Sequence, residues 1–249
     1  NEVGDITGVL AAGTDITEQA EAQEKLRQSY EQLKELDNMK TNFTSMVSHE
    51  LRTPLTSIKG FLAFLLGGVA GKLTPQQKEY LEIIQNNSER LLSLINDILD
   101  VSKMESGNFT IDRKPCDITE LVNNTIRDVK SLADKKRITF EVIKTVENPI
   151  INADPYRISQ VLLNLLSNSV KFSKPESSVL VSVFVKDPLN RAETGRSMFV
   201  SVRDSGIGIS RENLPKIFSR FYQVENINTR HTQGTGLGLN IAKNIVEAH

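Results

Sequence analysis

Phe43-Thr-Ser-Met-Val-Ser-His49-Glu50-Leu-Arg-Thr53-Pro54-Leu-Thr-Ser-Ile-Lys-Gly-Phe61 is the stretch from which the fold of this 249-residue chain is read. Phe43, Met46, Val47 and Leu51 recur at three- and four-residue spacing, the mark of a helix with one apolar face. His49 and Glu50 fall off the centre of that face toward solvent. A histidine on a helix is commonly plain surface, so this placement permits a function without requiring one. Pro54 lacks a backbone donor and crowds the preceding turn, so a bend is expected just past the histidine.

Upstream, Leu26, Leu33, Lys40 and Val47 repeat every seven residues, and Ser29, Leu36, Phe43 and Glu50 form the interleaved set. The pattern reads as a parallel coiled coil in a dimer; a solvated helix is the alternative. Before it, Gly4 to Thr17 reads as a short strand with no neighbouring strand to pair with. Downstream, Gly67, Gly68 and Gly71 end the first helix. Thr74-Pro75 opens a second that runs to about Met104, with a capping side chain followed by proline at the first helical position. Its stripe of Leu81, Ile84, Leu91, Leu94, Ile95, Ile98 and Val101 is too wide for one hairpin to bury. Two copies paired as a four-helix bundle would bury it and leave His49 outside.

Beyond Gly107 the periodicity changes. Arg137 to Val146, Val179 to Val185 and Met198 to Arg203 alternate as half-buried strands do, while Asp117 to Lys135 and Asp154 to Phe172 read as helices. The expected fold is therefore a helical hairpin followed by a two-layer α/β sandwich with a mostly antiparallel sheet. A net charge of −1 gives no reason to expect nucleic acid as a partner, and the single cysteine, Cys116, fits a reducing compartment. Apolar runs such as Phe61 to Leu66 are far too short to span a bilayer, so any membrane attachment is expected only through segments outside this chain.

The helix opening at Asp154-Pro155 carries Gln160, Asn164, Asn168 and Lys171 on one stripe. Amides plus a lysine suit a hydrated Mg2+ beside phosphates; a solvated face is the alternative. Asp204 follows a strand whose Val200 and Val202 share a face, so its carboxylate inherits the inward phase, where a purine amino group would supply a donor. Gly206 and Gly208 let backbone approach such a ring. Gly234-Thr-Gly-Leu-Gly238 precedes a helical run, Asn240 to Ala248, and leaves backbone N–H groups for anions. Between these motifs, Asn226 to Gln233 reads as a lid.

Taken together these motifs resemble the catalytic core of a two-component sensor histidine kinase. Ser48 to Leu55 is similar to the phosphoacceptor box, Asn164 to Lys171 to the N box, Asp204 to Gly208 to the G1 box, Phe218 to Phe221 to the F box, and Gly234 to Gly238 to the G2 box, in the family's order. The resemblance implies the end of a PAS-like sensor domain over 1–17, a coiled-coil linker over 18–40, a dimerisation and phosphotransfer hairpin over 41–106, and a Bergerat-type ATP-binding domain over 107–249. It implies a cytoplasmic, homodimeric, ATP-dependent protein-histidine kinase whose phosphoryl group passes to an aspartate on a response regulator receiver domain.

By the same resemblance His49 is the phosphoacceptor, with Glu50 beside it, and Asn168 is the Mg2+ ligand, with Asn164 nearby. Lys171 and Arg220 lie at the phosphates and Asp204 at the adenine amino group. Gly206, Gly208, Phe218, Phe221, Gly234, Thr235, Gly236, Leu237 and Gly238 line the nucleotide. Thr53 matches the position associated with dephosphorylation of the partner aspartate, although a threonine before Pro54 can equally bond its own helix.

Two departures matter. Related gyrase-type and Hsp90-type ATPases carry a glutamate base where this chain has Asn164, so transfer to a protein nucleophile is expected over hydrolysis, with His49 rather than His231 or His249 as acceptor. The chain also stops at His249, where the family continues into further strands, and a fragment is expected.

Overall fold

The computed structural model describes residues 17–186, 197–224 and 234–249, with side chains from residue 21 onward. The strand expected at Gly4 to Thr17 lies almost wholly outside them, and Thr17 already belongs to a helix; the segment read as a lid, with His231, lies outside them too.

Helix α1, Thr17–Leu66, runs for 50 residues and contains Pro54. It stops where expected: Gly68 and Gly71 adopt φ of 77° and 113°, which disfavours any side chain. Helix α2, Pro75–Glu105, opens with a reciprocal cap in which Gln77 N donates to Thr74 Oγ1 and Thr74 N donates to Gln77 Oε1. The two helices form an antiparallel hairpin, stitched by Lys40 to Glu105, Arg52 to Asn96 and Lys59 to Glu89. Leu55, Leu62 and Ile95 fill the seam. The apolar faces do not close within one chain: Leu26, Leu33, Leu36, Phe43, Met46, Ile84, Leu91 and Ile98 are all exposed.

The second half contains β1 (Lys114–Asp117), α3 (Ile118–Lys135), β2 (Thr139–Lys144), β3 (Ile150–Ala153), α4 (Pro155–Phe172), β4 (Ser178–Lys186), β5 (Ser197–Arg203) and α5 (Gly238–Ala248). The expectation of a mostly antiparallel sheet needs correction. β1 pairs antiparallel with β3 as a separate ribbon, whereas the three-stranded sheet β2-β4-β5 has a parallel pair, β2–β4, beside the antiparallel β4–β5. The chain between β2 and β4 carries α4 as a crossover, and a crossover returns a strand parallel to the one it left. β1 and β3 have four residues each, too few for alternation to reveal.

Two cores hold the fold. Val122, Leu166, Val170, Val179, Val181 and Val183 are fully buried between the α3–α4 layer and the sheet. A smaller cluster of Val161, Leu237, Ile241, Ala242 and Ile245 joins α5 to α4 and takes in Val101 and Met104 from α2, so the hairpin and the α/β part share apolar contacts. No helix among the described residues is long and apolar enough to cross a membrane.

Candidate functional site

His49 projects from α1 with 74% of its side chain exposed, and its Nδ1 lies 3.3 Å from Glu50 Oε1. If Nδ1 carries the ring proton, Glu50 accepts it and the lone pair is left on Nε2. Thr53 Oγ1 donates to the carbonyl of His49 at 3.2 Å, the back-bond open to any mid-helix threonine, and its lone pairs stay free to accept. The cross-hairpin contacts fix the level of the histidine. Lying between Lys40, which meets Glu105, and Arg52, which meets Asn96, His49 is level with the Asp97–Asp100 turn of α2.

α4 divides its polar stripe. Gln160 leaves the expected set, because its Nε2 donates to Asp100 Oδ2 of α2 at 2.9 Å. Asn164 Nδ2 donates to Gly238 O at 3.0 Å, so the N box grips the first residue of α5. Asn168 follows one turn on, half-buried. Lys171, half-buried, reaches the Gly234 loop, where a Cβ on Gly234 would lie 3.4 Å from its Nζ. Burial, and then the positive charge of Arg90, lowers the Lys171 ammonium below the usual lysine range.

Asp204 meets α4 but is not aimed into the interior: it is exposed, accepts from Gly206 N at 2.9 Å, and takes a long bond from Ser169 Oγ at 3.4 Å. The strand alternation fixes its side, but β5 has already ended at Arg203 and no longer covers it. Two glycines are required by contact. A Cβ on Gly206 would stand 2.7 Å from the carbonyl oxygen of Phe172, and one on Gly236, at φ 72°, would stand 2.7 Å from the backbone of Phe221. Gly208 has φ 71°. Phe218 and Phe221 are exposed. The Leu237 side chain is fully buried in the α5 core, and its backbone N–H donates to Thr235 Oγ1 at 3.1 Å. An exposed carboxylate, amides, a lysine and two loops packed at glycine-only distances are a donor set that fits a purine nucleotide with its phosphates and Mg2+.

Three side chains hold this half against α2 through partners distant in sequence. Arg157 Nη1 pairs with Asp100 Oδ2 at 2.9 Å, both side chains largely buried, and Arg157 also stacks 4.6 Å above the Phe109 ring. Thr235 Oγ1 donates to Asp97 Oδ2 at 3.3 Å. Burial raises the Asp97 carboxyl to about 6, with the Thr235 bond opposing and Asp100 adding. Arg220 pairs with Glu105, which also holds Lys40. His249 is structural: Asp154 N donates to its Nε2 at 2.9 Å, which ties the end of α5 to the cap of α4.

This fold and site define a class: a phosphoacceptor-type helical hairpin joined to a nucleotide-binding α/β sandwich. Residues 39–107 match the family described as the His Kinase A (phospho-acceptor) domain, and residues 153–249 match the family of histidine kinase-, DNA gyrase B- and HSP90-like ATPases. The chain is 38% identical to the circadian input-output histidine kinase CikA of Synechococcus elongatus, over 84% of this chain and 27% of that protein. It is 35% identical to the sensor protein kinase WalK of Staphylococcus saprophyticus, over 100% of this chain and 37% of that protein. The crystal structure of full-length ShkA in complex with AMPPNP superposes with a TM-score of 0.65 at 30% identity, covering 82% of this chain and 40% of ShkA. The chain belongs to the two-component sensor histidine kinases and carries their catalytic core. It spans between about a quarter and two fifths of the length of these three relatives.

Proposed function

We propose that this chain transfers the γ-phosphoryl group of ATP to His49 and then yields it to an aspartate of a response regulator. The observation that carries the reading is one of level: His49, exposed on α1, stands opposite the stretch of α2 on which the Thr235 loop rests. ATP is the substrate, held through Asp204 at the purine amino group, through Lys171 and the Gly234–Gly238 loop at the phosphates, and over Phe218 and Phe221. Asn168 would hold Mg2+, which when bound neutralises phosphate charge. In the step itself a His49 ring nitrogen forms a P–N bond as the β–γ bridging P–O bond breaks and ADP leaves. The proton on the other ring nitrogen passes to Glu50. Asn164, whose amide is taken up by Gly238, supplies no base for water, which favours transfer over hydrolysis. That ShkA was solved with AMPPNP, an ATP analogue, is in keeping with this substrate.

The exposed residues Leu26, Leu33, Leu36 and Phe43 on α1, with Ile84, Leu91 and Ile98 on α2, support a homodimer closed as a four-helix bundle. We place the catalytic part in the cytoplasm, where a response regulator would meet it. The test is labelling with [γ-32P]ATP. Wild type should take up label that acid removes and alkali spares, as for a phosphoramidate, and His49→Gln should take up none while binding nucleotide as before. Acid-stable label, or equal label on His49→Gln, would overturn the assignment.

A further inference from the structure

α4 ends at a point of weakness. The helix stops at Phe172, and Pro175, which has no N–H, stands four residues after Lys171, so the carbonyl of Lys171 has no backbone donor to receive. Val170 is in the same position because the helix has already ended, and only Ser169 is satisfied, by Ser173 N at 3.0 Å. The missing donors come from another element. Lys136, the residue that ends α3, reaches across so that its Nζ donates to the carbonyls of Lys171 at 2.6 Å, Val170 at 3.0 Å and Ser173 at 3.3 Å. Three N–H groups meet three acceptors at the negative end of the helix. Lys136 is itself held, since its carbonyl accepts from Glu176 N at 2.9 Å. The one intervening carbonyl, that of Phe172, faces the other way, against Gly206. The last turn of α4 is thus fixed on one side by Lys136 and on the other abuts the loop that carries Asp204.

We propose that Lys136 is a positioning residue for the nucleotide: without touching it, Lys136 sets the last turn of α4, and through that turn the place of the Lys171 ammonium and the seat of the Asp204–Gly208 loop. The inference rests on the reading of Lys171 and Asp204 as nucleotide ligands. Nothing local marks Lys136, which lies between two other basic residues, Lys135 and Arg137, at the end of an amphipathic helix.

The test is calorimetric titration of the whole chain with Mg2+–AMPPNP, together with the ATP dependence of His49 labelling. Lys136→Met should bind about tenfold more weakly and raise the KM for ATP to match, with the saturated labelling rate within about twofold of wild type. A charge-specific rescue separates positioning from bulk. Lys136→Cys, in a Cys116→Ser background, should regain affinity when alkylated with 2-bromoethylamine, which restores an ammonium, and should not when alkylated with iodoacetamide. The alkylated pair carries the same comparison if Lys136→Met does not fold. Wild-type affinity in Lys136→Met, a parallel fall in saturated rate and affinity, or equal behaviour of the two alkylated forms would overturn the proposal. Lys171→Ala is run alongside. If it binds like wild type, the ligand reading itself has failed; if it binds weakly and Lys136→Met does not, only the role of Lys136 is lost.

Discussion

Gly238→Ala is the sharpest probe of how the site is assembled. A methyl group there would stand 2.1 Å from Asn164 Oδ1 and 2.9 Å from its Cγ, against an ordinary contact of at least 3.4 Å, so the amide oxygen must withdraw by about 1.3 Å. That displacement breaks the Asn164 Nδ2 bond to Gly238 O, a loss of about 1 kcal/mol for a neutral hydrogen bond. Forcing the side chain off its preferred torsion adds about 1 kcal/mol. Alanine returns up to roughly 1 kcal/mol of helix propensity over glycine in the first turn of α5. The expected net destabilisation is about 1–2 kcal/mol, read by urea unfolding. The same substitution in an Asn164→Ala background meets no amide and should be neutral or slightly stabilising, so the cycle should show a coupling of about 1.5–2 kcal/mol. Because Asn164 sits one turn from Asn168, AMPPNP affinity should fall as well, by about tenfold. Equal destabilisation in both backgrounds would refute the steric argument.

Three further outcomes are expected. Asp97 is raised from 3.8 to about 6, so the folded chain holds a proton there that the unfolded chain has released, and stability should fall as pH rises through that window and level off above it. Asp97→Asn should flatten this slope in thermal melts at pH 5 and 7, and an unchanged slope would show that other groups set it. Arg157→Ala takes from the buried Asp100 its charged donor, leaving the Gln160 amide, and removes the contact with Phe109, so unfolding should be easier by about 2 kcal/mol, below the range for fully buried pairs because solvent reaches part of each side chain; a loss under about 0.5 kcal/mol would make the pair incidental. Thr53→Ala should leave labelling of His49 intact and slow removal of phosphate from the response regulator. Loss of both activities together would assign Thr53 to its bond with the His49 carbonyl alone.

Features set by neighbours in the chain were legible before the structure. The N-cap and proline at Thr74-Pro75, the glycine stop after Leu66 and the polar stripe of α4 each depend on residues a few positions apart. What escaped depends on pairs distant in sequence. Asp100 meets Arg157, Thr235 meets Asp97 and Glu105 meets Arg220, and nothing around any one of them announces its partner. Asp204 shows the limit between the two cases: strand alternation gave its side correctly, but its exposure depended on where β5 stops. Leu237 combines both kinds of constraint, since a motif that offers backbone to an anion can use the same residue's side chain as core.

The unbroken run of α1 has a practical corollary for building hybrid receptors. A helix of 50 residues extends about 75 Å, and with no interruption between Thr17 and His49 it fixes the angular setting of the histidine relative to whatever is grafted ahead of it. Each residue inserted into the segment 21–40 turns the graft by about 100° and advances it by about 1.5 Å, whereas seven restore the setting to within about 20°. Junctions differing by whole heptads should therefore preserve a graft's output, and intermediate lengths should scan it through a full rotation.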